Sequence, residues 1–153
     1  MNGRLFSIGL ALMLGAGYSL TALSQVKPAT LVKQRQAAMT LQSKYLWGQL
    51  RPMAQGKIPY DANVVARNTT YLDALTKMAW DGFAPSTKDV KSGALPPVFT
   101  DTAKFKESQD RLQSEVAKLV AVSKSGDEAA VKAQILAVDK ACGSCHESFR
   151  EKQ

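Results

Sequence analysis

Val131, Ile135, Val138, Cys142, Cys145 and Phe149 stand at successive steps of four, three, four, three and four residues. Such a seam lies along one side of an α-helix and is how one helix packs against its neighbours in a bundle. Asp127 precedes the pattern as a cap, so a helix is predicted from there nearly to the C-terminus, with both cysteines on its inward stripe.

Three further stretches read as helices, and none reads as a strand. The first follows Pro28, runs from about Ala29 to Leu50, and is expected to stop at Pro52 and Gly56. The second follows Pro59, has Asp61 as its N-cap, and runs to about Trp80, before Gly82 and Pro85. The third starts near Asp101 and ends at Gly126, with Phe105, Leu112, Val116 and Leu119 along one side. A loop from about Ala84 to Thr100, holding Pro85, Gly93, Pro96 and Pro97, joins the second to the third. Two short turns and one longer loop between four such helices predict an all-α fold, an antiparallel four-helix bundle.

The first 24 residues follow a different pattern. Arg4 supplies one positive charge, Leu5 to about Gly17 is apolar, and Ala22-Leu23-Ser24 places small residues before a cut. That is the layout of a cleaved secretory signal peptide, with a mature chain of residues 25–153; the competing reading is an uncleaved membrane anchor.

Composition narrows the functional classes. A chain of 153 residues with 45% apolar and 22% charged residues matches one soluble globular domain and excludes disorder. Its two cysteines make no disulfide framework, and its single histidine excludes a multi-histidine metal cluster. Losing Arg4 with the leader lowers the formal charge from +7 to +6. The basic residues are scattered rather than clustered among aromatics, so no nucleic-acid partner is expected. Asn68-Thr69-Thr70 matches a glycosylation sequon, a three-residue pattern that arises easily by chance. No catalytic triad, phosphate loop or carboxylate pair suggests an enzyme.

The chemistry lies in Cys142-Gly143-Ser144-Cys145-His146, a C-x-x-C-H. In this pattern two thiols form thioethers with the vinyl groups of one haem c, and the histidine ligates the iron. On a helix the three positions share a face, so both sulfurs and the imidazole reach one side of a flat macrocycle. Three other readings compete. A zinc site needs ligands the sequence lacks. A thioredoxin-like pair would open a helix after a strand. A disulfide within a regular helix would be strained. Export supplies an independent requirement, because c-type haem is attached outside the cytoplasm.

Further segments carry a family resemblance. Arg35-Gln36-Ala37-Ala38-Met39, Gly56-Lys57-Ile58-Pro59-Tyr60-Asp61, Trp80-Asp81-Gly82-Phe83-Ala84-Pro85-Ser86-Thr87 and the ending His146 to Arg150 follow one another in order. With the haem motif in the last helix, the mature chain resembles the cytochromes c′, the class II c-type cytochromes. The resemblance implies a periplasmic monohaem protein with His146 as the only strong axial ligand, binding NO or CO, exchanging electrons with redox partner proteins, or both. It implies that Arg35 and Gln36 approach the haem propionates and that Met39, Trp80 and Phe83 line the distal pocket. Phe149 and Arg150 would stand beside the proximal histidine. A homodimer through the first two helices is common in the family.

Two departures leave positions open. Between Met39 and Gly48 the chain has one residue more than many relatives, which leaves the distal position between Met39 and Thr40. The loop from Lys88 to Pro97 is also longer, so no haem contact can be assigned to it. Two other functions stand as alternatives. One is a six-coordinate electron-transfer protein similar to cytochromes c-556, with Met39 as sixth ligand. The other is a haem-free helical binding module.

Overall fold

The computed structural model describes residues 26–152, so the signal-peptide reading lies outside the described residues. Four long helices form an antiparallel bundle: α1 (Pro28–Tyr45), α2 (Ala62–Met78), α3 (Thr102–Val122) and α4 (Glu128–Phe149). Asp61 and Asp127, expected as caps, act as such, and Asp101, near which the third helix was expected to start, caps it too. Asp61 accepts from the backbone N–H of Asn63 and Val64, Asp101 from Lys104 and Asp127 from Ala130. Each satisfies donors that the first helical turn leaves unpaired.

The first helix departs from expectation. It does not stop at Pro52 but passes through a π-helical turn, Leu46–Leu50, into a short α segment, Arg51–Ala54. Pro52 falls in the first turn of that resumed segment, where a missing N–H costs little. The actual stop is Gly56, whose φ of 69° suits glycine. Gly56 N–H bonds Met53 O at 3.1 Å and Lys57 N–H bonds Pro52 O at 2.9 Å, a Schellman closure. A π-turn holds one residue more than an α-turn.

Three other boundaries move. α2 ends at Met78, and Trp80–Phe83 forms a separate 3₁₀ turn. α3 ends at Val122 rather than Gly126, because the Ser123 and Ser125 hydroxyls donate back to Val120 O and Val122 O and unwind the last turn. The expected loop contains a 3₁₀ turn, Pro85–Thr87, and a short helix, Pro97–Thr100.

The core is built from Leu46, Leu50, Met53, Val65, Leu72, Leu112, Val116, Leu119, Val131, Ile135, Val138 and Ala141. α3 packs along α4, α1 along α2, and α2 along α3. The α4 seam is buried at Val131, Ile135, Val138 and Phe149, whereas Cys142 and Cys145 are only half-buried and Ala141 takes the deep position. Phe105 is likewise only half-buried on the side of α3 that Leu112, Val116 and Leu119 continue. At one end of the bundle, therefore, the helices enclose a cavity in place of packed side chains. Asn68 is fully buried with its amide bonded to Gln49 Oε1 at 2.7 Å, which leaves the sequon no access to modification in the folded chain.

Candidate functional site

The cavity has a volume of about 470 Å³ and gathers side chains from all parts of the fold that meet there. α4 supplies Cys142, Cys145, His146 and Phe149, with Arg150 immediately after it. α1 supplies Arg35, Gln36 and Met39, and the 3₁₀ turn after α2 supplies Trp80 and Phe83. All ten residues singled out from the sequence thus line one cavity. Steps of three and four along α4 present two sulfurs and an imidazole to the same space, as the C-x-x-C-H pattern requires.

The electrostatics of this wall favour neutral groups. Burial, with Asp139 and Cys145 nearby, pushes the Cys142 thiol up to about 12, and burial alone raises Cys145. Burial and the adjacent Arg150 cation hold the His146 imidazole below its ordinary value, so it is a neutral base at neutral pH. Both thiols are free. Arg150 Nη1 lies 3.5 Å from His146 Nδ1, and Arg150 N–H closes the helix on His146 O at 3.1 Å.

The opposite wall is aromatic and carries one buried charge. Rings run in sequence from Trp80 to Phe83 (5.9 Å between centroids), Phe83 to Phe105 (4.9 Å) and Phe105 to Phe149 (5.2 Å). Arg35 is 5% exposed; its guanidinium stacks 4.3 Å over the Phe83 ring and donates to Gly82 O and, at 2.9 Å, to Ser92 Oγ. Among the described residues a carbonyl, a hydroxyl and a ring share the guanidinium. Desolvation still lowers its pKa, the mark of a charge held in a poorly solvating place. Gln36 is exposed at the rim, Met39 is half-buried, and Thr40 is exposed with its hydroxyl donated to Gln36 O.

Several lining residues were not found from the sequence. Trp47, in the π-turn, sets its ring edge-on to His146 at 5.8 Å and 70°. Its indole N–H donates to Asp139 Oδ1 at 2.5 Å, and Arg51 Nε pairs with Asp139 Oδ2 at 3.0 Å. Gly93 and Ala94, from the longer loop, also line the cavity. That loop is laced to the end of α4 by Leu95 N–H to Phe149 O (3.0 Å) and Glu151 N–H to Gly93 O (2.9 Å). Gly93 and Ala94 carried no signal beyond turn composition. Asp139 did, since it stands three before Cys142 and seven before His146 on the same helical face.

These residues fit a covalently held haem. Two thiols and an imidazole share one wall, and the facing wall is a ring-lined surface suited to a flat apolar macrocycle. Two polar groups point to its anionic edge. Trp80 Nε1–H is buried with no acceptor among the described residues, and the Arg35 guanidinium lies buried against neutral acceptors. A carboxylate in the cavity would satisfy the first and neutralise the second.

Comparisons with known proteins agree with this geometry. Residues 30–150 match the family model described as Cytochrome C′. Cytochrome c′ of Rubrivivax gelatinosus is 39% identical over 127 residues, covering 82% of this chain and 98% of the relative. Its crystal structure superposes with a TM-score of 0.77 over the same shares of both chains. Cytochrome c′ of Alcaligenes xylosoxydans xylosoxydans is 34% identical, covering 83% of this chain and 98% of the relative. Solved structures of its variants include one with nitric oxide (TM-score 0.77) and one with carbon monoxide (TM-score 0.76). A cytochrome c-556 from Agrobacterium tumefaciens is 30% identical, covering 69% of this chain and 85% of the relative. The chain described above belongs to the cytochrome c′ family, whose members carry one covalently attached haem c.

Proposed function

We propose that this chain is an exported, periplasmic cytochrome with five-coordinate iron that binds NO or CO and exchanges electrons with redox partners. Cys142 and Cys145 would hold the haem c by thioethers, and His146 would be the iron's one strong protein ligand. The observation that carries this reading is the meeting of the C-x-x-C-H wall with Met39, Trp80 and Phe83 across one cavity.

The haem supplies the iron to which a small gas or an electron is added. The chain's residues do the rest. A neutral His146 offers a lone pair without first losing a proton. Arg35 and Gln36 would hold the propionate edge, with Trp80 beside Phe83 on the distal side. Phe83 and Phe105 would keep water and anions from the distal side, so uncharged diatomics are favoured. Met39 would supply bulk on the gas-binding side, with Phe149 and Arg150 beside His146.

A second reading, the six-coordinate c-556 type, draws support from the Met39 thioether lying in the same cavity. Its flexible side chain can fill space or reach a metal. The c′ reading is favoured by the aromatic turn Trp80–Phe83, the segment resembling that subfamily. Dimerisation through α1 and α2 is supported by exposed Leu41, Tyr71 and Met78 on those helices.

The attachment claim is tested by the intact mass of the protein recovered from the periplasm. The expected mass is residues 25–153 plus one haem, with most holoprotein lost in Cys145→Ala. A colourless protein of the unmodified mass would leave the binding-module reading standing. An intact Met1 in the membrane fraction would favour an anchor.

A further inference from the structure

Nothing in a regular helix fixes the plane of a histidine ring, because its second side-chain torsion has a broad, nearly two-fold preference. Neighbours must set it. Among the described residues two stand against the His146 ring: Arg150 Nη1 at its Nδ1 edge, 3.5 Å away, and the Trp47 indole standing edge-on, with centroids 5.8 Å apart.

Trp47 is itself held from behind. Its indole N–H donates to Asp139, whose other carboxylate oxygen pairs with Arg51. Asp139 lies on the cysteine and histidine face of α4, two turns before His146. Trp47 and Arg51 come from the opposite element, the π-turn and the first residue after it. The wider π-turn rotates the residues that follow it relative to a continuous α-helix, and π-turns recur at functional sites. A chain of contacts therefore runs Arg51–Asp139–Trp47–His146, tying the π-turn to the imidazole.

We infer that Trp47, clamped by Asp139, is a positioning residue that fixes the orientation of the His146 ring and so the strength of its bond to iron. The inference rests on the reading of His146 as the axial ligand. Groups beyond a metal's own ligands commonly fix ring orientation by hydrogen bonding; here the ring is held by an aromatic edge that is itself hydrogen-bonded.

The test is the iron–histidine stretching band of the reduced holoprotein in resonance Raman spectra, with thermal unfolding as a check on folding. The wild type should give one narrow band. Asp139→Leu and Trp47→Phe both break the clamp, and each should broaden or split that band. The double variant should go no further than either single one, because the two groups act through one contact. Asp139→Asn keeps an acceptor for the indole and removes the charge, so its band should stay narrow. A narrow, unshifted band in both Asp139→Leu and Trp47→Phe overturns the inference, even where the melting temperature falls. So does a band that moves as far in Asp139→Asn as in Asp139→Leu, since charge and not the clamp would then be responsible. No iron–histidine band in the wild type would instead overturn the five-coordinate reading, since that band is seen only with a single strong axial ligand, and the inference with it.

Discussion

Arg35 and Gly82 meet so closely that a Cβ at position 82 would stand only 2.4 Å from the Arg35 Cβ. The same arginine donates to the Gly82 carbonyl, and a Cβ on Gly82 would also stand 2.7 Å from Leu31 O. α1 and the turn carrying Trp80 and Phe83 are thus in direct backbone contact, which fixes the width of the cavity. Neither obstacle is the free end of a flexible chain. Gly82→Ala is expected to cost about 1–3 kcal/mol, as overpacking does, read as a lower urea midpoint at unchanged slope.

Arg35 also anchors the longer loop through Ser92. Ser92→Ala removes that bond together with the longer one from Ala94 N–H to Ser92 Oγ (3.4 Å), and should cost about 1 kcal/mol. Arg35→Ala should cost more, about 2–4 kcal/mol, since it removes the ring contact and both hydrogen bonds. Hydrogen exchange should then quicken between Lys88 and Pro97 before it quickens in the helices.

The Cys142 thiol offers a pH test on protein made without haem attachment. With its pKa pushed up to about 12, the thiolate fraction at pH 8 is very small, and alkylation of Cys142 should be slow. The rate should climb about tenfold per pH unit and still be climbing at pH 11. The linked effect on stability has a definite sign. From about pH 9 to 12 the unfolded chain releases a proton that the folded chain keeps, so stability is full below that window and falls as pH rises through it. A rate that levels off near pH 9 would mean that the thiol is solvated.

Much of this architecture was legible in the residues, for physical reasons. Asp61, Asp101 and Asp127 announce helix starts because a carboxylate accepts from N–H groups whatever surrounds it. The C-x-x-C-H carries its own geometry. The π-turn was not legible, because its widened bonding reflects how Leu46 and Leu50 are buried in the core rather than any local preference. For the same reason Pro52 was mistaken for a stop. Arg35 was placed on the correct face, but its neutral partners Gly82 and Ser92 lie 47 and 57 residues away, beyond any local pattern. Phe105 shares a side of α3 with Leu112, Val116 and Leu119, yet it stands among the cavity rings, because α3 meets the turn after α2 there.

Met39 lines the cavity from α1, opposite the histidine-bearing helix. If it supplies bulk above the iron, Met39→Ala should quicken CO binding severalfold in stopped-flow measurements while leaving the haem attached. A slower or unchanged rate would assign the crowding to Trp80 and Phe83.

The visible absorption spectrum of the reduced holoprotein, before and after CO, bears most directly on the five-coordinate assignment. The account predicts a broad band of high-spin iron that shifts when CO is added. Sharp, split α and β bands that CO leaves unchanged would show Met39 bound as sixth ligand and contradict it.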